Sequence, residues 1–165
     1  DNKHRLIYMA QSNSSNHGLN RLDKIKGAYA YIGDLREIGL LLNKKENEII
    51  SLDNENLSKE IHKILDFKHF ILTKGSKGLV YFYYNNKEMK VIVVKNLEIN
   101  KVIDTIGCGD ATLSLFTVGL ISLESEEVDL YLEAIGELSN LAGSICTQWR
   151  CNKKSVSKQM INSYL

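Results

Sequence analysis

Three observations predict an α/β fold with a partly parallel sheet. Short strand-like apolar runs alternate with helix-periodic segments as far as Thr73, an alternating meander follows, and a glycine-rich turn then opens onto an apolar helix. Leu6-Ile7-Tyr8-Met9-Ala10 reads as a short buried strand, and Gln11 to Gly18 as a polar loop. Ala28 to Ile32 is the second strand, followed by Gly33 and a helix from Leu35 to Leu42. Asn-rich, acidic residues 43 to 56 make a connector. Beyond it, Leu57, Ile61, Ile64 and Leu65 keep helical spacing in a helix from Leu57 to Phe67. His69 to Thr73 is the third strand. Gly78 to Tyr84 and Lys90 to Val94 alternate about Asn85-Asn86, a pair that tolerates the left-handed conformations of a tight hairpin. Helices are expected over Ala111 to Ile121, Glu126 to Trp149 and Ser155 to Leu165. In the middle one, Val128, Leu132, Ile135, Leu138, Ala142, Ile145 and Trp149 form one stripe, read as core rather than as a cofactor box. No internal repeat, low-complexity tract or linker interrupts the chain.

At 165 residues, 44% hydrophobic and 25% charged, the sequence suits one globular domain with its own core. Twenty-one Lys and Arg against 20 Asp and Glu leave a net charge of +1, so no overall field draws nucleic acid or a membrane surface. No run approaches the ~18 apolar residues of a membrane span. Cys108, Cys146 and Cys151 make neither an even disulfide set nor a CxxC pair, which points to reduced thiols in a cytoplasmic protein, with Cys108 as a small residue in its turn. His4, His17, His62 and His69 lack metal-ligand spacing and read as ordinary surface or boundary residues. Tyr81, Tyr83 and Tyr84 lie in an alternating strand, where packing explains them better than base stacking.

The chemistry concentrates at Asp104-Thr105-Ile106-Gly107-Cys108-Gly109-Asp110. Gly107, Cys108 and Gly109 leave backbone N–H groups uncovered, and the helix that follows places its positive end where they converge, so anions collect there. Asp110 stands at the mouth of this anion hole. It is placed to accept a proton from an incoming hydroxyl, although a carboxylate there also serves simply as an N-terminal charge on the helix. With Ala111, the segment resembles the C-terminal signature of the ribokinase-like sugar and nucleoside kinases, the PfkB carbohydrate kinase family, written D-[ST]-x-G-[AC]-G-D-[AST], and every defined position fits.

Further segments extend the resemblance. Thr73-Lys74-Gly75-Ser76-Lys77-Gly78 is similar to the family's T-x-G-x-x-G turn, which implies nucleotide contacts at Thr73, Gly75 and Gly78; by itself it also suits an ordinary loop between strands. Tyr31 to Leu42 resembles the K-P-N-x-x-E-x-x-x-L-L segment, with Asp34 at the Asn position and Glu37 at the Glu position that help place magnesium and phosphate. The Lys-Pro is absent, and an equally good reading is Asp34 as N-cap with Glu37 three residues on in a capping box. Glu137 to Gly143 resembles the late helix lining the adenine pocket, which makes Asn140 a polar contact; the alternative is an Asn on a solvated face. Asp104 and the Ile106 carbonyl match positions that hold a monovalent cation, such as potassium, in some members; local turn bonding by Asp104 explains it as well.

The resemblance covers about Tyr29 to Cys151 and corresponds to the C-terminal half of a typical member. It implies a ribokinase-like three-layer α/β/α fragment with a mixed, mostly parallel sheet, in which residues 1 to 165 are the nucleotide-binding and catalytic portion. The front half of the family supplies a Gly-Gly sugar-binding motif and a β lid, and this sequence contains no Gly-Gly pair. The activity implied is ATP- and Mg2+-dependent phosphoryl transfer to a hydroxyl of a small sugar or nucleoside. The alternatives are a non-catalytic nucleotide-binding or regulatory half-subunit and a hydroxymethylpyrimidine or pyridoxal kinase of the same fold. A sheet edge left by a missing half is expected to favour self-association.

Overall fold

The computed structural model describes residues 5–11, 18–85, 88–99, 101–123, 127–151 and 153–165. Its strands are β1 (Ile7–Met9), β2 (Ala30–Asp34), β3 (His69–Thr73), β4 (Leu79–Tyr84) and β5 (Met89–Val94). They form one mixed sheet in the order β1-β2-β3-β4-β5. β1 pairs with β2 and β2 with β3 in parallel, with Met9 opposite Ile32 and Ile32 opposite Ile71. Parallel strands are buried on both faces, which is why residues 30–32 of β2 and 70–72 of β3 read as continuous apolar runs. The links from β3 to β4 and from β4 to β5 are too short for a crossover, so a meander closes the sheet. Asn85, at the end of β4, bonds Glu88 across the hairpin, whereas Asn86 lies outside the described residues, as do His4, His17 and most of the loop after β1.

The helices are α1 (Leu35–Leu42), α2 (Glu46–Ser51), α3 (Asn54–Leu65), α4 (Cys108–Ser122), α5 (Val128–Cys146) and α6 (Lys158–Asn162). The connector expected over 43 to 56 contains α2 and the start of α3. One apolar side chain, Ile49, buries α2, too little to show as periodicity, while the Glu48 carboxylate accepts the Lys45 N–H at its entrance (2.7 Å). Asp53 caps α3 by accepting the Asn56 N–H (2.8 Å), and Asn43 and Asp66 end α1 and α3 in the left-handed conformation that Asn and Asp tolerate best.

Two compact units divide the chain. The first holds residues up to Lys74 with Val80–Val91, the second Gly75–Leu79 with the residues from Ile92 onward. The core of the first gathers Tyr31, Ile38, Leu57, Ile61, Phe70 and Phe82. His69 belongs here rather than at the surface. It is fully buried in β3, its Nδ1 lies 2.7 Å from the Tyr81 hydroxyl, and its ring stacks on Tyr83. Burial, helped by the charges of Lys68 and Arg5, lowers its pKa to about 3, so the ring is neutral. Tyr81 and Tyr83 are packed in the interior as expected, although β4 is buried from Leu79 to Tyr83 without the alternation that the sequence suggests.

In the second unit α4 packs on α5. Thr112, Phe116 and Leu120 form the buried row of α4. Leu132, Ile135, Ala142 and Ile145 of the expected stripe are buried in α5, but burial from Ser139 to Cys146 is continuous rather than confined to one face. No described helix is long and apolar enough to cross a membrane.

Candidate active site

The turn before α4 is built from local bonds. Asp104 Oδ1 accepts the Ile106 N–H (3.1 Å), which bends the chain, and Gly107 completes the bend at φ 85° as the N-cap, a left-handed conformation that a Cβ would strain. α4 starts at the next residue, so Cys108 and Gly109 lie in its first turn rather than in a loop ahead of it. The Cys108 N–H donates to the Thr105 carbonyl (3.3 Å) and the Ala111 N–H to Gly107 (2.9 Å). The N–H groups of Gly109 and Asp110 fall where helix geometry supplies no acceptor, and both residues are exposed. Four turns of helix stand behind them, so these donors carry its positive end. The Asp110 carboxylate lies in the same turn.

Beneath this turn, Thr112 Oγ1 donates to the Cys108 carbonyl (3.0 Å). A Cβ on Gly143 would stand 2.4 Å from Thr112 Oγ1 and 3.4 Å from the Cys108 oxygen, so only glycine lets α5 approach so closely. Burial pushes the Cys108 thiol up to about 12, with Cys146 beside it. Cys108 is therefore a neutral space-filler and no nucleophile. Cys108, Cys146 and Cys151 are free thiols, and no group of three metal-ligating side chains occurs among the described residues.

A second feature of this unit joins Gly78 and Asn140. Gly78 (φ 87°) packs on the exit of β5, where a Cβ would lie 2.1 Å from the Val94 carbonyl. The close approach that glycine permits here is thus to the chain itself, whereas Gly75 (φ 57°) faces open space. Asn140 is buried, not solvated. Its amide donates to the Lys95 carbonyl (3.0 Å), and one turn later Ser144 Oγ bonds Asn96 Oδ1 (2.6 Å). The Asn-x-x-x-Ser spacing on one helix face is the sequence signal for this pair of contacts; Lys95 and Asn96 carry none. Asn140 also lines a cleft of about 560 Å3 with Val93, Leu97, Leu138, Leu141 and Tyr164, a size usual for small-molecule sites. Leu138, read as core, forms part of that wall.

The first unit holds a separate cluster at the carboxyl ends of its parallel strands. Asp34 and Thr73 are register partners, and Thr73 Oγ1 reaches the Gly33 carbonyl (3.4 Å). The capping box is formed in full: Asp34 Oδ1 accepts the Glu37 N–H (2.8 Å) and Glu37 Oε2 accepts the Asp34 N–H (3.0 Å). Gly33, expected after the second strand, lies inside β2, where a Cβ would stand 2.9 Å from Leu22 Cδ1 and 3.4 Å from Glu37 Oε2. The carboxyl ends of parallel strands are where open α/β sheets bind ligands. Asp34, Glu37 and Thr73 are thus brought together in one unit, and Gly78 and Asn140, like Asp104 and the anion-hole turn, in the other.

The match to a family model for pfkB family carbohydrate kinases runs over residues 2–155, nearly the whole chain. The chain belongs to the pfkB family of carbohydrate kinases. Solved structures share its fold. Ribokinase from Giardia lamblia superposes with a TM-score of 0.71 at 15% identity, over 98% of this chain and 50% of that one. Fructokinase from Vibrio cholerae O395, in its fructose, ADP and calcium ion bound form, gives 0.66 at 16% identity over 84% of this chain and 41% of its own. Arabidopsis thaliana ribokinase complexed with ribose and ATP gives 0.61 at 22% identity, over 86% and 41%. This pfkB chain therefore spans half or less of the length of these neighbours. No curated protein matches it.

Proposed function

We propose that this chain is the nucleotide-binding and catalytic-base portion of an ATP-dependent kinase acting on a hydroxyl of a small sugar or nucleoside. The observation that carries the reading is the first turn of α4, where exposed Gly109 and Asp110 N–H groups at a helix N-terminus share one turn with an exposed carboxylate. Helix-terminal donors stabilise the charge of a transferring phosphoryl group. Asp110 takes the acceptor's hydroxyl proton while that oxygen bonds to the γ-phosphorus and the bond to the ADP oxygen breaks. The cleft beside Asn140, with apolar walls from Val93, Leu97, Leu138 and Leu141, suits a purine ring, and Gly75, which faces open space, is the glycine of the Thr73 to Gly78 turn left free for a nucleotide.

Asp34 and Glu37 supply hard carboxylate oxygens of the kind that holds Mg2+, although the capping box already uses one oxygen of each. The metal, when bound, neutralises phosphate charge. Asp104 and the Ile106 carbonyl offer similar oxygens to potassium, which would have to compete with the protein donors on the Asp104 carboxylate.

A second reading, a nucleotide-binding half-subunit without turnover, draws on the chain's length relative to its neighbours. Calorimetric titration with MgATP and MgADP, followed by γ-phosphoryl transfer to a panel of sugars, nucleosides, pyridoxal and hydroxymethylpyrimidine, tests both. Transfer to a sugar or nucleoside supports the kinase, and transfer to the last two reassigns the substrate. Binding without transfer favours the half-subunit. Absence of any heat at millimolar nucleotide rejects both for this chain.

A further inference from the structure

Cys151 is one of three residues other than glycine with positive φ among those described, and the other two, Asn43 and Asp66, are helix C-caps of the residue types that tolerate it. Cys151 has no such excuse at φ 44°. A backbone conformation that a Cβ disfavours persists where its surroundings hold it. Here the holder is Asp104, 47 residues earlier, whose Oδ2 accepts the Cys151 N–H at 3.1 Å with the Cys151 thiol 3.4 Å away. The other oxygen of the same carboxylate accepts the Ile106 N–H, immediately before the N-cap Gly107. Two backbone bonds run alongside, from the Ile103 and Asp104 N–H groups to the Thr147 carbonyl (2.8 and 3.2 Å). The segment after α5 is thereby fastened to the segment that leads into α4.

We propose that Cys151 is a positioning residue: through Asp104 it sets the entry of α4 and so the aim of the Gly109 and Asp110 N–H groups. The clasp itself is independent of what those donors bind; its consequence for phosphate rests on the kinase reading above. One carboxylate bridges two N–H groups, one on each segment. A change at Cys151 therefore reaches Ile106 without any contact to the anion hole, and Gly107, the N-cap that follows Ile106, carries it to the first helical turn. The backbone N–H makes the bond, so what position 151 needs is a donor in a left-handed conformation rather than a thiol.

Amide NMR of the full chain, with titrations of inorganic phosphate and of MgATP, tests this. Cys151→Pro removes the N–H and forbids positive φ. It is expected to shift the Ile106, Gly107 and Gly109 amide signals, to speed exchange of the Ile106 N–H that Asp104 holds about tenfold or more, and to weaken phosphate and MgATP about tenfold. Cys151→Gly keeps the N–H and suits the conformation, so it should leave those signals near wild type. Asp104→Asn keeps the acceptor for Ile106 but can turn an NH2 toward Cys151, and should reproduce the shifts if the proline variant does not fold. Unmoved amides at 106 to 109 in a folded Cys151→Pro or Asp104→Asn protein overturn the clasp, as does a glycine variant as perturbed as the proline one. If the amides respond as expected while wild type binds neither phosphate nor MgATP, the clasp stands and the kinase reading falls.

Discussion

Asp110 has two jobs open to it, and substitution by asparagine separates them. Asn keeps size and local polarity but cannot accept a proton, so on the proposed kinase reading Asp110→Asn is expected to lower turnover roughly 10²- to 10⁴-fold with little change in nucleotide affinity. Steady-state kinetics beside a thermal melt checks it, and near-wild-type turnover in a folded variant removes Asp110 from the mechanism. Glycines divide just as sharply. Gly78→Ala puts a Cβ against the backbone of Val94, Lys95 and Asn96 at positive φ, where nothing flexible can yield, and should cost about 2 to 4 kcal/mol in urea unfolding. Gly75→Ala has open space and only conformational strain to bear, about 1 kcal/mol. Equal costs would show that the tight packing on β5 is not what position 78 requires. At this scale, residues whose partners lie nearby were legible: Asp34 and Glu37, three apart, form the capping box their spacing predicts. Asn140 was ambiguous because the carbonyl it bonds is 45 residues away, and His69 was misplaced because its burial depends on Tyr81 and Tyr83, contacts that no local pattern announces.

Strands and helices were read from the sequence to the extent that burial leaves a period. β3 and α1 have the limits their patterns predict, since a fully buried parallel strand and a capped amphipathic helix both carry local signals. α2 left none, having one buried apolar residue, and the start of α4 was placed too late because Gly-Cys-Gly reads as loop although two of its residues are helical. In α5 the single stripe understated burial. Ser139, Asn140 and Ser144 look like a solvated face, but each is satisfied within the protein, by the Ile135 carbonyl, the Lys95 carbonyl and Asn96 Oδ1, which lets the helix be buried all round from Ser139 to Cys146. The α4 and α5 contact depends on a missing Cβ, and this gives a prediction for the pair. Gly143→Ala should destabilise by about 1 to 3 kcal/mol through the clash with Thr112 Oγ1. In a Thr112→Ala background the same change should cost at least 1 kcal/mol less, a coupling readable from a double-mutant cycle in urea. Additive effects would mean that the helices separate elsewhere to admit the methyl.

For the molecule as a whole, the family is legible in the turn before α4 and the acceptor is not, because this chain spans half or less of the neighbours whose fold it shares. What can be forecast for the whole chain is its response to acid. His69 is neutral in the fold with a pKa near 3, against about 6.5 when unfolded. Between those values the unfolded chain binds a proton that the folded one does not, so stability rises with pH through this window and is lost as pH falls from about 6.5 toward 3. Above that range both states are neutral at this position and the contribution is flat. The slope due to one such group is at most about 1.4 kcal/mol per pH unit. Asp23, Asp53 and Asp104, all held below the ordinary carboxylate value by hydrogen bonds, act only at the acid end, so pH 4.5 to 6.5 isolates the histidine. Urea unfolding at half-unit steps across that interval should show the slope in wild type and lose it in His69→Phe. The variant starts lower near neutrality because the Tyr81 hydroxyl loses its ring-nitrogen partner, so the two curves converge as the solution is acidified. Parallel curves would show that protonation of His69 is not what limits the fold in acid.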